Sequence, residues 1–321
     1  MSFVANYFFR RILISLLTII VISMFVFLIV QLIPGDAVRI MLGVEADETV
    51  VAQTRAELNL DKPIPVQYWI WITNVVHGNF GKSLIQNSDI MEMIKERLPV
   101  SLSITVPAIA ISVILGILIG VICATHRGSA IDQALTVIVT TMNGIPVFWI
   151  GIMMMYLFGV RLKWLPIMGY VDPSVDFAGY VKSAVMPVVI TSFGPLSNIA
   201  RQVRTNMLEI INQDYIRTAR AYGLSEASVR YKYALKNTLI PIVTLVVLQV
   251  RSIVGGNLLA EQVFSIAGMG RLIMQSVLNK DFLVIQALVL VISVIVILCN
   301  FLLDIVYGLL DPRIRLPMRG D

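Results

Sequence analysis

Residues 12–33 read ILISLLTIIVISMFVFLIVQLI, a run of apolar and small polar side chains without one charge. As a helix rising ~1.5 Å per residue, it is long enough to cross the ~30 Å hydrocarbon core of a bilayer. A helix is the form in which an isolated segment satisfies every backbone amide away from water. The run is too long for the core of a signal peptide and lacks a convincing small-residue cleavage site, so it reads as a helix of the mature protein.

Outward from this run, four more uncharged stretches have the required length: Val100 to Ala124, Ala134 to Val160, Ser183 to Ala200 and Leu283 to Leu303. A sixth, Thr238 to Ala260, is apolar except for Arg251. The 321 residues are 57% hydrophobic and 14% charged, far more apolar than a soluble domain. The length alone would suit about two soluble domains. The apolar runs, spread from end to end, instead predict one all-α, polytopic membrane protein with six transmembrane helices. Cys123 and Cys299 fall inside these runs and read as small hydrophobes, which leaves redox chemistry without support. The net charge of +5 needs no nucleic-acid partner, because membrane proteins carry excess Lys and Arg on their cytoplasmic side.

That rule also orients the chain. Arg10 and Arg11 precede the first run, and Arg313, Arg315 and Arg319 follow the last, which puts both termini in the cytoplasm. The segment between the fourth and fifth runs agrees: Arg201, Arg204, Arg217, Arg220, Arg230, Lys232 and Lys236 stand against Glu209, Asp214 and Glu226. Arg161 and Lys163, in the second outer loop, run mildly against it. The expected organisation is a cytoplasmic N-terminus (1–11), a first transmembrane helix (12–33), an extracytoplasmic segment (34–99), a transmembrane core (100–310) with a cytoplasmic loop (201–237), and a cytoplasmic tail (311–321). Partly helical periodicity in Leu58, Ile64, Tyr68, Trp69, Ile72, Val76, Phe80, Ile90 and Ile94 predicts a small folded cap in the extracytoplasmic segment. Gly116 and Gly120, four apart, predict a close helix approach. Asn143 and Pro146 interrupt the third run and Pro195 the fourth.

The sequence offers little chemistry. Gly81, Lys82 and Ser83 imitate the end of a phosphate-binding loop, but Val76 stands where that loop needs its first glycine. His77 and His126 fall on opposite sides of the membrane with no Cys, Asp or Glu at ligand spacing, so no metal site is expected. No Gly-x-Ser-x-Gly elbow and no pair of carboxylates within the spans is found, and the chain is not expected to be an enzyme.

Asp214 to Ser225, DYIRTARAYGLS, reads as a short capped helix. Asp214 is placed to accept from the first-turn amides, Gly223 to adopt the left-handed closing conformation, and Ser225 to cap a following helix. Tyr215, Ile216, Ala219 and Tyr222 would share one face, with Arg217, Arg220 and Ala221 elsewhere. The pattern alone also admits an ordinary basic inner loop.

Asp214 to Leu224 resembles the coupling loop of permease subunits in binding-protein-dependent ABC importers, in the dipeptide and oligopeptide branch. The family's Glu-Ala-Ala-three residues-Gly motif falls on Arg217, Thr218, Ala219 and Gly223, with the acidic residue absent. Leu32 to Asp36, Leu60 to Pro63, Gly78 to Gly81, Glu261 to Phe264, Gly268 to Leu272 and Asp311 to Arg315 also resemble the B-type subunit, in the same order. The resemblance implies the type I ABC importer permease fold, in a bacterial cytoplasmic (inner) membrane. It implies a second homologous permease, two ABC ATPase subunits that bind ATP and Mg, and an extracytoplasmic substrate-binding protein; no cofactor is implied in this chain. Asp214, Tyr215, Arg217, Thr218, Ala219, Arg220, Tyr222 and Gly223 would form the coupling element. Arg217 and Arg220 would touch the ATPase, while Tyr215, Tyr222 and Gly223 would shape the helix and its groove contact. The loop at Glu261 to Leu272 would face the pore and binding protein. The cargo would be dipeptides or oligopeptides, with nickel chelates, opines, glutathione or oligosaccharides as alternatives on the same machinery.

Arg251 stands out, because a charge within a span costs at least ~2.5 kcal/mol at its centre. Counting from Thr238 places it ~20 Å along the helix, in the outer half of the membrane. Two readings stay open: a pore-lining cation that attracts a substrate carboxylate, or a structural side chain that snorkels outward.

Overall fold

The computed structural model describes residues 2–32, 37–42, 46–57, 59–235, 237–238, 242, 246 and 258–310. Arg251, most of the expected fifth span and the 311–321 tail lie outside the described residues. The described chain is helical: α1 Ser2–Leu32, α2 Ala37–Leu42, α3 Glu48–Glu57, α4 Ile64–Val76, α5 Ile90–Thr125, α6 Ala130–Gly144, α7 Val147–Met154 with a π-helical continuation Met155–Arg161, α8 Phe177–Ile211, α9 Asp214–Ala221, α10 226–235, α11 Leu258–Val263, α12 Met269–Leu278 and α13 Phe282–Leu310. Four helices, α1, α5, α8 and α13, are long and apolar enough to cross a membrane by themselves.

The expected third span is not one straight rod. α6 and α7 meet at 102° across Ile145 and Pro146. Ile145 is extended (φ −87°, ψ 133°) because the ring of Pro146 disfavours the helical region for the residue before it, and Pro146 itself opens α7. The four long helices all outrun their uncharged runs, α1 from Ser2 and α13 to Leu310 among them. α5 starts at Ile90 rather than Val100, its first turn capped by Asp89 Oδ1, which accepts from Met91 N at 2.8 Å and Glu92 N at 3.2 Å. α8 continues through Ile211, so the first third of the expected cytoplasmic loop is helix. Pro187 and Pro195 both lie inside α8 without ending it.

The chain forms two compact units: one from the first 100 residues with Gly268–Leu302, the other from Ser101–Ala267. In the first, Ile90, Met93 and Ile94 of α5 pack with Met269 and Leu272 of α12 and with Val284 and Leu288 of α13. α4 crosses the end of α1, where the hydroxyls of Ser23 and Tyr68 share a hydrogen bond of 2.9 Å and Phe27 stacks against Tyr68 and Trp71. The imitation phosphate loop is absorbed here: Ser83 is buried and its hydroxyl donates to the Asp281 carboxylate.

In the second unit α5 and α8 approach closely. A Cβ added at Gly120 would lie 2.6 Å from the Ala200 carbonyl oxygen and 2.6 Å from Val203 Cβ, and one at Gly116 2.8 Å from Ile199 Cγ2. The absent side chains are what permits the contact.

Candidate coupling site

α9 forms where expected, and its end is closed in the expected way. Gly223 has φ +79°; its amide donates to the Arg220 carbonyl (2.9 Å) and that of Leu224 to Ala219 (3.3 Å). These are the two bonds of a Schellman cap, and a side chain at Gly223 would be strained by φ alone, since nothing lies within 4 Å of its added Cβ. Ser225 caps α10, accepting from Ser228 N at 3.3 Å. The start differs from expectation. Gln213, extended and without a side-chain bond, is the N-cap, and Asp214 is the first helical residue. Its carboxylate therefore acts on the positive helix end as a charge and pairs with Arg217 at 3.4 Å.

The division of faces also differs. Ile216 and Ala219 are buried in a core with Val121 and Ala124 from the end of α5, Val203 and Met207 from α8, and Val229 and Ala234 from α10. Tyr215 and Tyr222 do not join them: Tyr215 is 39% exposed and Tyr222 85%. The seam between three helices takes Ile216 and Ala219, one turn apart, and leaves both phenol rings outside it. The Tyr215 hydroxyl accepts from Asn237 Nδ2 at 2.9 Å. Arg220 pairs with Glu226 on α10, Nε to Oε1 at 2.8 Å. Arg217, Thr218 and Ala221 complete an exposed face that carries Tyr222 at its end. A two-turn helix is marginal in isolation. Here burial of Ile216 and Ala219, the closing cap and the Arg220–Glu226 pair hold it in one orientation.

A further brace lies at the same end of the unit. Arg204 on α8 donates to both carboxylate oxygens of Asp132 in the first turn of α6, and Asp132 also accepts from Gly128 N at 3.0 Å. Sequence reasoning missed this pair, as it missed Ser83–Asp281 and Ser101–Glu261, because partners 72 to 198 residues apart leave no local pattern. The last of these revises an expectation. Glu261, in the motif expected to face the pore and binding protein, is fully buried and accepts from the Ser101 hydroxyl at 2.5 Å. Phe264 and Ile266 are buried with it in the second unit, and Met269 and Leu272 in the first.

Comparison with known proteins accords with this architecture. Residues 116–316 match the family model described as binding-protein-dependent transport system inner membrane component, and residues 4–105 match its N-terminal companion. A probable peptide ABC transporter permease protein of Sinorhizobium fredii is 35% identical over 96% of this chain and 99% of its own length. A glutathione transport system permease protein of Salmonella choleraesuis is 36% identical over 97% and 99%. A chain of the inward-facing MetNI methionine ABC transporter superposes with a TM-score of 0.56 at 20% identity, covering 69% of this chain and 97% of that one, and shows the shared fold.

Proposed function

The chain belongs to the family of binding-protein-dependent transport system inner membrane components, and on that premise we propose that it forms the path of an ATP-driven importer of dipeptides and oligopeptides. It is a membrane-spanning ABC importer permease with the type I fold. The peptide assignment draws on the names its relatives carry; a glutathione permease among them favours, as a second reading, the same path carrying that tripeptide.

One observation carries the coupling part of the proposal. α9 is packed through Ile216 and Ala219 against the ends of α5, α8 and α10, while Arg217, Thr218, Arg220 and Tyr222 stay exposed. A partner gripping the exposed face pulls on a body rather than on a slack loop. In this reading two ATPase subunits bind ATP and Mg, close on each other, and draw α9 and its counterpart in a second homologous permease together. The three helix ends follow, which shifts the path between outward and inward access, a two-state element biased by a partner's ligand. An extracytoplasmic binding protein delivers the cargo. The basic residues around α9 favour the cytoplasmic side for it, and with it for both termini. Arg251 is assigned to the path as the cation that meets a peptide carboxylate; Arg251→Ala then raises the concentration for half-maximal uptake, and unchanged uptake removes it from the path.

The test is purification of the tagged chain from its native membrane, with identification of what accompanies it, followed by ATP-dependent uptake of labelled di-, oligo- and tripeptides in vesicles. Recovery with a second permease and ATPase chains, and uptake that disappears when this chain is deleted, supports the reading. Recovery alone, under conditions that preserve known transporters, overturns it.

A further inference from the structure

The first unit contains a cavity of about 700 Å³ that the transport reading does not use. Its lining mixes apolar side chains, Phe27 and Val30 of α1, Trp71 of α4 and Leu283 of α13, with several amides and with two charged groups, Arg55 and Glu57 of α3. One lining residue is out of character. Gln286 is 3% exposed, lines the cavity, and its Nε2 has no hydrogen-bond partner. An amide donor buried in an apolar setting without an acceptor is costly enough that native proteins rarely keep one unless a ligand or solvent group meets it.

The depth of this donor narrows the ligand. In the sequence the uncharged run of the first span closes at Ile33, before Pro34, Gly35 and Asp36, and that of the last span opens at Phe282, after Lys280 and Asp281, so in the expected topology both stand at the same bilayer boundary. Gln286 lies one turn inside that boundary, ~6 Å along the helix, and Phe27 at a similar depth, ~9 Å. Trp69, 71% exposed on α4, fits the aromatic belt of such a boundary. The ester carbonyls of a glycerophospholipid, acceptors without a donor of their own, sit between the headgroups and the hydrocarbon. The charged groups of the lining are then one cation and one anion, a pattern that suits a headgroup with both signs better than a purely anionic one. We propose that this cavity is a binding site for a zwitterionic diacyl phospholipid, with an acyl chain over Phe27, Val30 and Leu283, an ester carbonyl accepting from Gln286, and a phosphate and ammonium facing Arg55 and Glu57. The Ser23–Tyr68 hydrogen bond and the Phe27–Trp71 contact join α1 to α4 beside these residues, so the lipid would wedge the two helices together. The site uses only the shared membrane boundary of α1 and α13 and stands whether or not the cargo is a peptide.

The test uses the assembled transporter in nanodiscs containing phosphatidylethanolamine with a photoactivatable acyl chain, and, in a parallel set, the same chain on phosphatidylglycerol. The expected result is cross-linking to peptides carrying Trp71 and Leu283, several-fold stronger for the ethanolamine probe. Gln286→Leu and Val30→Trp, the second filling part of the cavity, should each lower this labelling several-fold without changing the elution volume of the complex. Labelling that both variants leave unchanged overturns the site. So does protein cross-linking showing that a helix of the second permease fills the cavity.

Discussion

Arg204 meets Asp132 through a two-pronged ion pair, Nε to Oδ1 and Nη2 to Oδ2 both at 2.8 Å, which fastens α8 to the first turn of α6. Asp132 is buried and Arg204 partly exposed, so removing the carboxylate leaves a cation that solvent compensates only in part. Asp132→Ala is expected to cost about 2–3 kcal/mol, less than the ~3–5 kcal/mol of breaking a fully buried pair. The check is thermal unfolding of the purified complex, followed by a double-mutant cycle. Arg204→Ala in the Asp132→Ala background should cost less than it does alone.

Ile216 and Tyr222 sit on one short helix and separate packing from docking. Ile216→Ala opens a cavity between α5, α8 and α10 and is expected to cost about 2–4 kcal/mol of stability. Tyr222→Ala removes an exposed ring and should leave stability within about 0.5 kcal/mol. If the exposed face of α9 is what the ATPase holds, Tyr222→Ala weakens co-purification of the ATPase at least several-fold in a complex that melts normally. Full retention of the ATPase would remove Tyr222 from the docking face.

Gly223 closes α9 at φ +79° with open space around its Cα. Gly223→Ala is therefore a test of backbone strain alone and is expected to cost about 1 kcal/mol, with Gly223→Asn nearer neutral because Asn tolerates the left-handed region. If α9 carries the motion of an ATPase to the path, transport assays should rank the variants in the same order, since an open cap lets the helix fray.

Gly120 and Gly144 make a matched pair for the α5–α8 contact. A methyl at Gly120 would overlap the Ala200 backbone and Val203, whereas nothing lies within 4 Å at Gly144. Gly120→Ala should lower stability by about 1–3 kcal/mol through overpacking, while Gly144→Ala should be near neutral or favourable. Equal melting temperatures for the two variants would contradict the observed approach of the helices.

Much of the molecule is legible without coordinates. The uncharged runs give α1, α5, α8 and α13, because hydrocarbon admits a lone segment only as a helix and charge marks its ends. Gly223 and Ser225 announce the cap and restart around α9, since a left-handed turn and an orphan amide have local remedies. The reading failed where the decisive partner is remote or where two local rules compete. Pro146 was seen to interrupt the third run, yet the 102° bend depends on where α7 finds its packing, against Val263 and Ile190 at Gly151. Helical phase puts Tyr215 and Tyr222 on the apolar face of α9, but the seam between three helices is filled by Ile216 and Ala219, and both rings stay exposed.

By itself the sequence determined the membrane as solvent, the helical class, the position of the short helix α9 and the family, for all of these follow from runs and motifs read along the chain. Only the tertiary structure decided that Glu261 is a buried structural acceptor for Ser101, that Asp132 belongs to Arg204, and that Gln286 is left without a partner on a cavity wall. The reason is physical. Burial and hydrogen-bond satisfaction are properties of pairs and surroundings, and the chain brings those partners together from as much as 198 residues apart, as it does Ser83 and Asp281.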